Sequence, residues 1–248
     1  IRFRKVLVRF LEKPRKERFL CREYILLFDG LWFKFNGKHW TLYITAVRSA
    51  RSNIAVFLDP ILLEGRESAA HWKQIIDDLP LSLKNRVKAC VSDGFRGSQG
   101  LAKENKWILQ RCHFHLIAQL QIRRGRRKNL KDKHIREEIY QTVRKLLIAR
   151  KRIKILKEQL QKLISRFDCP RKLRSIVCEF LRDLDDFRSY AKYPQLNLPV
   201  ANNTVESMNR LIRKQCSCLM TPESLKLWAT AFIRMRSNIR GNGNNFPP

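Results

Sequence analysis

Acidic residues are scarce in this 248-residue chain, which has 22 Asp and Glu against 52 Lys and Arg and a formal net charge of +30. That charge opposes compaction unless a polyanion neutralises it, and it puts nucleic acid first among partners. Long apolar runs are missing as well. Nothing approaches the run of about 18 residues that a membrane span needs, so no membrane partner is expected. No apolar signal core follows the basic leader that runs from Ile1 through Arg22, so residues 1–22 are read as the remnant of an N-terminal DNA-binding region, and the chain as part of a longer protein. The seven cysteines are odd in number and scattered, unlike a secreted disulfide framework, which points to a reducing, cytoplasmic compartment. No internal repeat has a period of 20–50 residues. A hydrophobic content of 44% supports a real core, in one large domain or two small ones.

The first half alternates strand and helix signals. Apolar stretches at 24–28, 32–35 and 40–46, the last two separated by Asn36-Gly37, predict three adjacent antiparallel strands. Ser68 can cap a helix over 68–78, in which Ala69, Trp72, Ile75 and Ile76 recur at helical spacing. A buried strand at 87–91, a helix at 99–105 and a strand at 107–110 follow. The fold class is therefore α/β, with the first part of a core over residues 23–115.

After His115 the strand-like alternation stops. Residues 116–195 are predicted to be an all-helical insertion with helices at 135–147, 153–167 and 173–187. Its start is one-sidedly basic, with 15 Lys or Arg between Arg111 and Lys154 against Asp132, Glu137 and Glu138. Arg123, Arg124, Arg126, Arg127 and Lys128 are candidate phosphate contacts, the other reading being a flexible basic loop. Residues 196–240 complete the core with helices at 203–214 and 222–236, and the Gly/Asn/Pro tail at 241–248 is expected to be disordered.

Three acids stand out. Asp29 and Asp93 close predicted strands and each precedes glycine, which lets backbone or ligand come close; Asp-Gly is also ordinary turn chemistry. Glu206 opens a predicted helix, with Asn202 and Asn209 on its face, and could instead complete a capping box with Asn203. Should it only cap, Asp185 is the substitute third acid. Two Mg²⁺ ions about 3.5–4 Å apart, held by carboxylates from separate elements, would suit such a set on a basic protein.

The runs Leu27-Phe28-Asp29-Gly30, Val91-Ser92-Asp93-Gly94, Gln110-Arg111-Cys112-His113-Phe114-His115 and Asn202-Asn203-Thr204-Val205-Glu206-Ser207-Met208-Asn209 resemble, in order and spacing, a DDE transposase of the Mutator-like superfamily of insertion sequences. Leu31 stands where family members often have threonine. The resemblance implies an RNase H-like mixed sheet flanked by helices, with a helical insertion before the glutamate. It implies Asp29, Asp93 and Glu206 as catalytic carboxylates holding two Mg²⁺ ions, with Mn²⁺ able to substitute. The activity implied is phosphodiester cleavage and strand transfer at the ends of a mobile DNA element, by a homo-oligomer assembled on DNA at the nucleoid. The alternatives are an inactive or domesticated transposase that only binds DNA and an RNase H-like nuclease.

The remaining candidates sit around that set. Cys112 is expected to be buried at the strand end, with His115 packing or hydrogen-bonding near the acids; a zinc site with Cys216 and Cys218 is the lesser reading. His113 has no assigned role. Trp32, Trp40, Trp72, Trp107 and Trp228 are expected to be core or sheet-face aromatics. Arg210, Arg213 and Lys214 would face DNA if Glu206 faces metal.

Overall fold

The computed structural model describes residues 2–13, 19–125, 132–216, 218–236 and 238–240. Asn36 and Gly37, at φ of 47° and 80°, turn the chain between two twelve-residue strands, β1 (Tyr24–Phe35) and β2 (Lys38–Ser49), as an Asn-Gly pair favours. Their antiparallel register runs unbroken from Tyr24↔Ser49 to Phe35↔Lys38. The break expected after residue 28 is therefore absent. Asp29 lies opposite Ile44 and Gly30 opposite Tyr43, so pairing to β2 overrides the local turn preference of Asp-Gly, and Asp29 sits mid-strand.

The strands β3 (Ile54–Phe57) and β4 (Ile61–Glu64) both pair with the other edge of β2. At four residues each they are too short for alternation to reveal them. Helix α1 (Arg2–Glu12) precedes β1, and after β4 come α2 (Ala69–Asp77), α3 (Leu81–Lys84), β5 (Val87–Ser92), α4 (Ser98–Glu104) and β6 (Ile108–Arg111). The side chain of Ser68 caps α2 as expected, accepting from the His71 N–H at 3.2 Å. Strand β5 runs parallel to both β1 and β6. A final strand, β7 (Asn238–Arg240), pairs with β3, and the sheet order is β6-β5-β1-β2-β3-β7 with β4 beside β2.

Helices α5 (His113–Arg124), α6 (Lys133–Ile148), α7 (Ile153–Ser165), α8 (Arg171–Arg182) and α9 (Leu184–Phe187) enclose an apolar core of their own, with Ile139, Val143, Leu160, Val177 and Phe180 at its centre. The helix expected over 173–187 stops early, because buried Asp183 turns its carboxylate to Arg111 and Arg182. The chain then passes through α10 (Ser189–Lys192) and a 3₁₀ turn at Pro194–Leu196 to α11 (Asn203–Cys216) and α12 (Pro222–Met235).

Strand alternation sorts β1 between two cores. Ile25, Leu27, Leu31 and Phe35 pack with Val205, Met208 and Ile212 of α11 and Leu225, Ala229 and Ile233 of α12. Tyr24, Leu26 and Phe28 pack on the opposite face with Trp72, Ile75 and Ile76 of α2 and Leu101 of α4. The result is an α/β architecture, a mixed sheet between helices in an RNase H-like arrangement.

The leader and the tryptophans fill out this picture. The basic leader contains α1, whose Leu7 is buried and whose Leu11 carbonyl accepts from Arg234 of α12 at 2.8 Å, so part of it docks on the core. Trp72 and Trp107 are buried and Trp40 and Trp228 partly so, but Trp32 is 60% exposed, beyond the point where β1 loses its β5 neighbour. The tail at 241–248 lies outside the described residues.

Candidate active site

The site forms where the sheet splits. Strand β5 pairs with β1 only as far as Leu27↔Val91, so the next residues of each strand, leading to Asp29 and Asp93, flank an opening at the carboxyl end of a parallel pair. Such an opening is where ligands bind in sheets of this kind.

Helix α11 closes the opening from one face. Asn202, fully buried, donates its Nδ2–H to the Phe28 carbonyl at 3.0 Å and its backbone N–H to the Cys112 sulfur at 3.2 Å. Cys112 in turn donates its backbone N–H to the Ser92 carbonyl, and the His113 N–H goes to the Val200 carbonyl, each at 2.8 Å. These bonds fasten the start of α11 to β1, β5 and β6 together. One turn on, the Glu206 N–H bonds to the Asn202 carbonyl at 2.9 Å, so the helix begins one residue earlier than a cap at Asn203 requires. The Glu206 carboxylate forms no capping box. Its Oε1 lies 2.9 Å from His115 Nε2.

Asp29 is 8% exposed, and Asn209 Nδ2 donates to its Oδ2 at 2.7 Å. One ligand atom from each of Asp29, His115 and Glu206 lies within 4.8 Å of the others, the single group of at least three potential metal ligands among the described residues. Asp93 falls outside that group: its Oδ1 accepts the Phe95 N–H at 3.0 Å and the Ser92 hydroxyl at 3.4 Å. It remains close enough to act on Asp29 electrostatically. Burial, then Asp93 and then Glu206 push the Asp29 carboxyl up to about 8, with His115 opposing. His115 is held well above the ordinary imidazole range although burial opposes its charge, through the Cys112 sulfur and Glu206. Burial likewise opposes ionisation of Glu206, and His115 more than offsets it, so that acid is lowered.

A fourth acid escaped the sequence reading. Glu67, on the loop before α2, accepts the Trp72 indole N–H at 2.6 Å, and burial first, then Asp93, push it up to about 7. It comes up beneath Gly30: a Cβ there would lie 2.7 Å from Glu67 Cδ. No motif marks Glu67; the one sequence hint is the missing side chain at residue 30, opposite which something must fill the space. At Gly94 the demand is stronger. Its φ is +92° and a Cβ would lie 2.2 Å from Arg111 Nη2, whose guanidinium joins this loop to α8 through Glu179 at 2.9 Å and to Asp183 at 2.7 Å.

The basic candidates divide. Arg124 is paired with Glu137 at 2.7 Å and lies over the Tyr140 ring, and Arg123 donates to the Gln119 carbonyl, all within the helical unit. Arg126, Arg127 and Lys128 lie outside the described residues. Arg210 and Arg213 are exposed on α11, and Arg210 helps lower Glu206. Lys214 is exposed on the same helix. Cys216 is buried between the sheet and the last helices while Cys218 is exposed.

The profile of a family described as Transposase, Mutator family matches residues 60–223. The chain belongs to the Mutator family of transposases. The match takes in Glu67, Asp93, Cys112, His115 and Glu206 and begins after the β1–β2 hairpin that carries Asp29. No curated protein matches the chain. Among the described residues no helix is long and apolar enough to cross a membrane.

Proposed function

We propose that this transposase cuts and joins DNA with divalent metal held by Asp29, Asp93 and Glu206. The observation that carries the reading is the meeting of Asp29 and Glu206, from a strand and a helix 177 positions apart in sequence, at the open end of the parallel strands. The donor set suits a hard cation. In a chain of net charge +30, Asp29 is buried beside two further acids with neither Lys nor Arg paired to it among the described residues, and Asn209 keeps its Oδ1 buried without a partner after donating to Asp29. An added cation removes the repulsion that raises Asp29, and oxygen donors from separate elements match Mg²⁺ or Mn²⁺ better than zinc.

When bound, a pair of such ions activates an attacking oxygen and stabilises the leaving one. The protein's own residues orient and charge the site. Asn202 and Asn209 set the distance between α11 and β1, His115 holds Glu206 ionised, and Arg210 and Arg213 offer phosphate contacts beside the acids. The DNA contacts release counterions, so affinity falls steeply with salt. Residues 116–195 serve as the helical insertion that brings Glu206 back to the sheet.

The test uses purified protein, DNA carrying the ends of the element, and Mg²⁺. Asp29→Asn, Asp93→Asn and Glu206→Gln are each expected to lower end joining on the order of a thousandfold, as loss of several kcal/mol of charge stabilisation would, with DNA binding retained. A variant that still joins ends removes its residue from the site. Cutting of RNA–DNA hybrids in preference to duplex DNA would favour a nuclease instead.

A further inference from the structure

Beside the acids the sheet carries a second recess, of about 360 Å³, lined by Gly30, Trp32, His39, Thr41, Arg66 and Glu67. Its floor is the β1–β2 hairpin, with Trp32 paired to Thr41. Its far wall is the loop after β4, fastened by the Thr41 hydroxyl to the Gly65 carbonyl at 2.8 Å and by the Gly65 N–H to the His39 carbonyl at 2.7 Å. Trp32 is the only exposed tryptophan of the five, and the Arg213 guanidinium lies 5.5 Å from its ring centroid. Exposure of a single indole is not in itself unusual, but Trp32 lines a recess and holds an arginine against its ring while 60% exposed, the pairing of aromatic face and cation that single-stranded nucleic acid uses.

We propose that this recess takes an unpaired nucleobase of the DNA strand whose phosphate enters the carboxylate site, with the base stacked on Trp32 and its phosphate beside Arg213 and Arg66. The placement fits from both sides of the opening. Trp32 is three residues beyond Asp29 on β1, about 10 Å along a strand and on the opposite face, with Glu67, and Arg213 reaches its ring from the α11 side. Arg213 is seven residues beyond Glu206 on α11, about 10 Å along a helix and on the same face. A base at Trp32 is therefore within about three nucleotides of the reacting phosphate at the duplex rise of about 3.4 Å. Charge chooses the occupant. Two exposed arginines flank an aromatic face on a strongly cationic chain, which suits a base with its phosphate and not a second copy of this protein. Gly30 leaves room for the Glu67 carboxyl, which closes the inner end of the recess.

This inference rests on the proposed function for the ligand being DNA, and its test separates the two. Binding is measured in chelator, so that nothing is cut, on a blunt duplex and on the same duplex with a short single-stranded tail containing 2-aminopurine. The tailed duplex is expected to bind more tightly. Trp32→Ala should weaken the tailed duplex about tenfold, the loss typical of one base stacked on an aromatic ring, and abolish quenching of the 2-aminopurine, leaving blunt-duplex affinity within about twofold. Trp32→Phe should restore most of both. Equal weakening on tailed and blunt DNA, or no weakening on either, overturns the base site. Trp32-dependent tail binding by a protein that cuts nothing in Mg²⁺ upholds the base site and overturns the cleavage reading.

Discussion

The helical unit fastens several of its acids with arginine, and the sheet opening does not. In the helices Glu137 is paired with Arg124, Asp132 with Arg136, Asp168 with Arg166, and Asp183 with Arg111 and Arg182. At the opening, Asp29, Glu67 and Asp93 have no Lys or Arg paired to them among the described residues, and Glu206 is matched by a histidine. A chain with more than twice as many bases as acids could have neutralised these groups cheaply. That it leaves them together, half-buried and mutually repelling, marks a place kept for an external cation, whereas pairing in the helices marks acids used for fastening.

The contrast can be broken first at the fastening side. Arg111→Ala leaves buried Asp183 with Arg182 alone and frees the loop after Asp93 from α8, and should cost about 2–3 kcal/mol in urea denaturation. A cost under about 1 kcal/mol would show that this pair does not fasten the insertion to the sheet.

The opening should respond to pH in the reverse sense from an ordinary salt-bridged acid. Between the unfolded carboxylate value near 4 and the folded value of about 8, folded Asp29 holds a proton that the unfolded chain has released, so the metal-free protein loses stability as pH rises through that window. Glu67, raised to about 7, adds to the same trend. The combined loss is at most several kcal/mol, and Mg²⁺ should restore it. Thermal melts at pH 5 and pH 8, with and without Mg²⁺, would read this. A slope unchanged by Asp29→Asn would break the assignment.

The smallest effect belongs to the exposed helical pairs. A double-mutant cycle on Arg124 and Glu137, both more than one-third exposed, should give a coupling of about 0.2–1 kcal/mol. A much larger coupling would mean that the insertion depends on surface charge rather than on its apolar core.

Much of this was readable beforehand, and the failures have physical causes. The Asn36-Gly37 turn, the helix capped by Ser68 and the amphipathic helices expected over 135–147 and 153–167 rest on local chemistry and periodicity, and they form close to their expected bounds. The local turn preference of Asp-Gly predicts a strand end at Asp29, and twelve residues of pairing to β2 outweigh it. Glu206 competed with a helix cap that its sequence neighbours suggest equally well; His115, 91 positions away, decides where its carboxylate points. Glu67 carried no local signal, since its importance arises from the bare edge of Gly30 and the indole of Trp72. Trp32 alternates like its neighbours and so reads as core or sheet face, and only its place past the end of β5 decides that it faces open space.

The amino-acid sequence by itself determined the charge, the alternation of elements, the helical character of the insertion and the family motifs, because these are properties of composition and short-range spacing. Only the tertiary structure decided which acids meet, which arginines are already paired and which tryptophan is left facing water. Those outcomes depend on where β5 stops beside β1 and where α11 lands on the sheet, and such long-range contacts have no counterpart in any window of sequence.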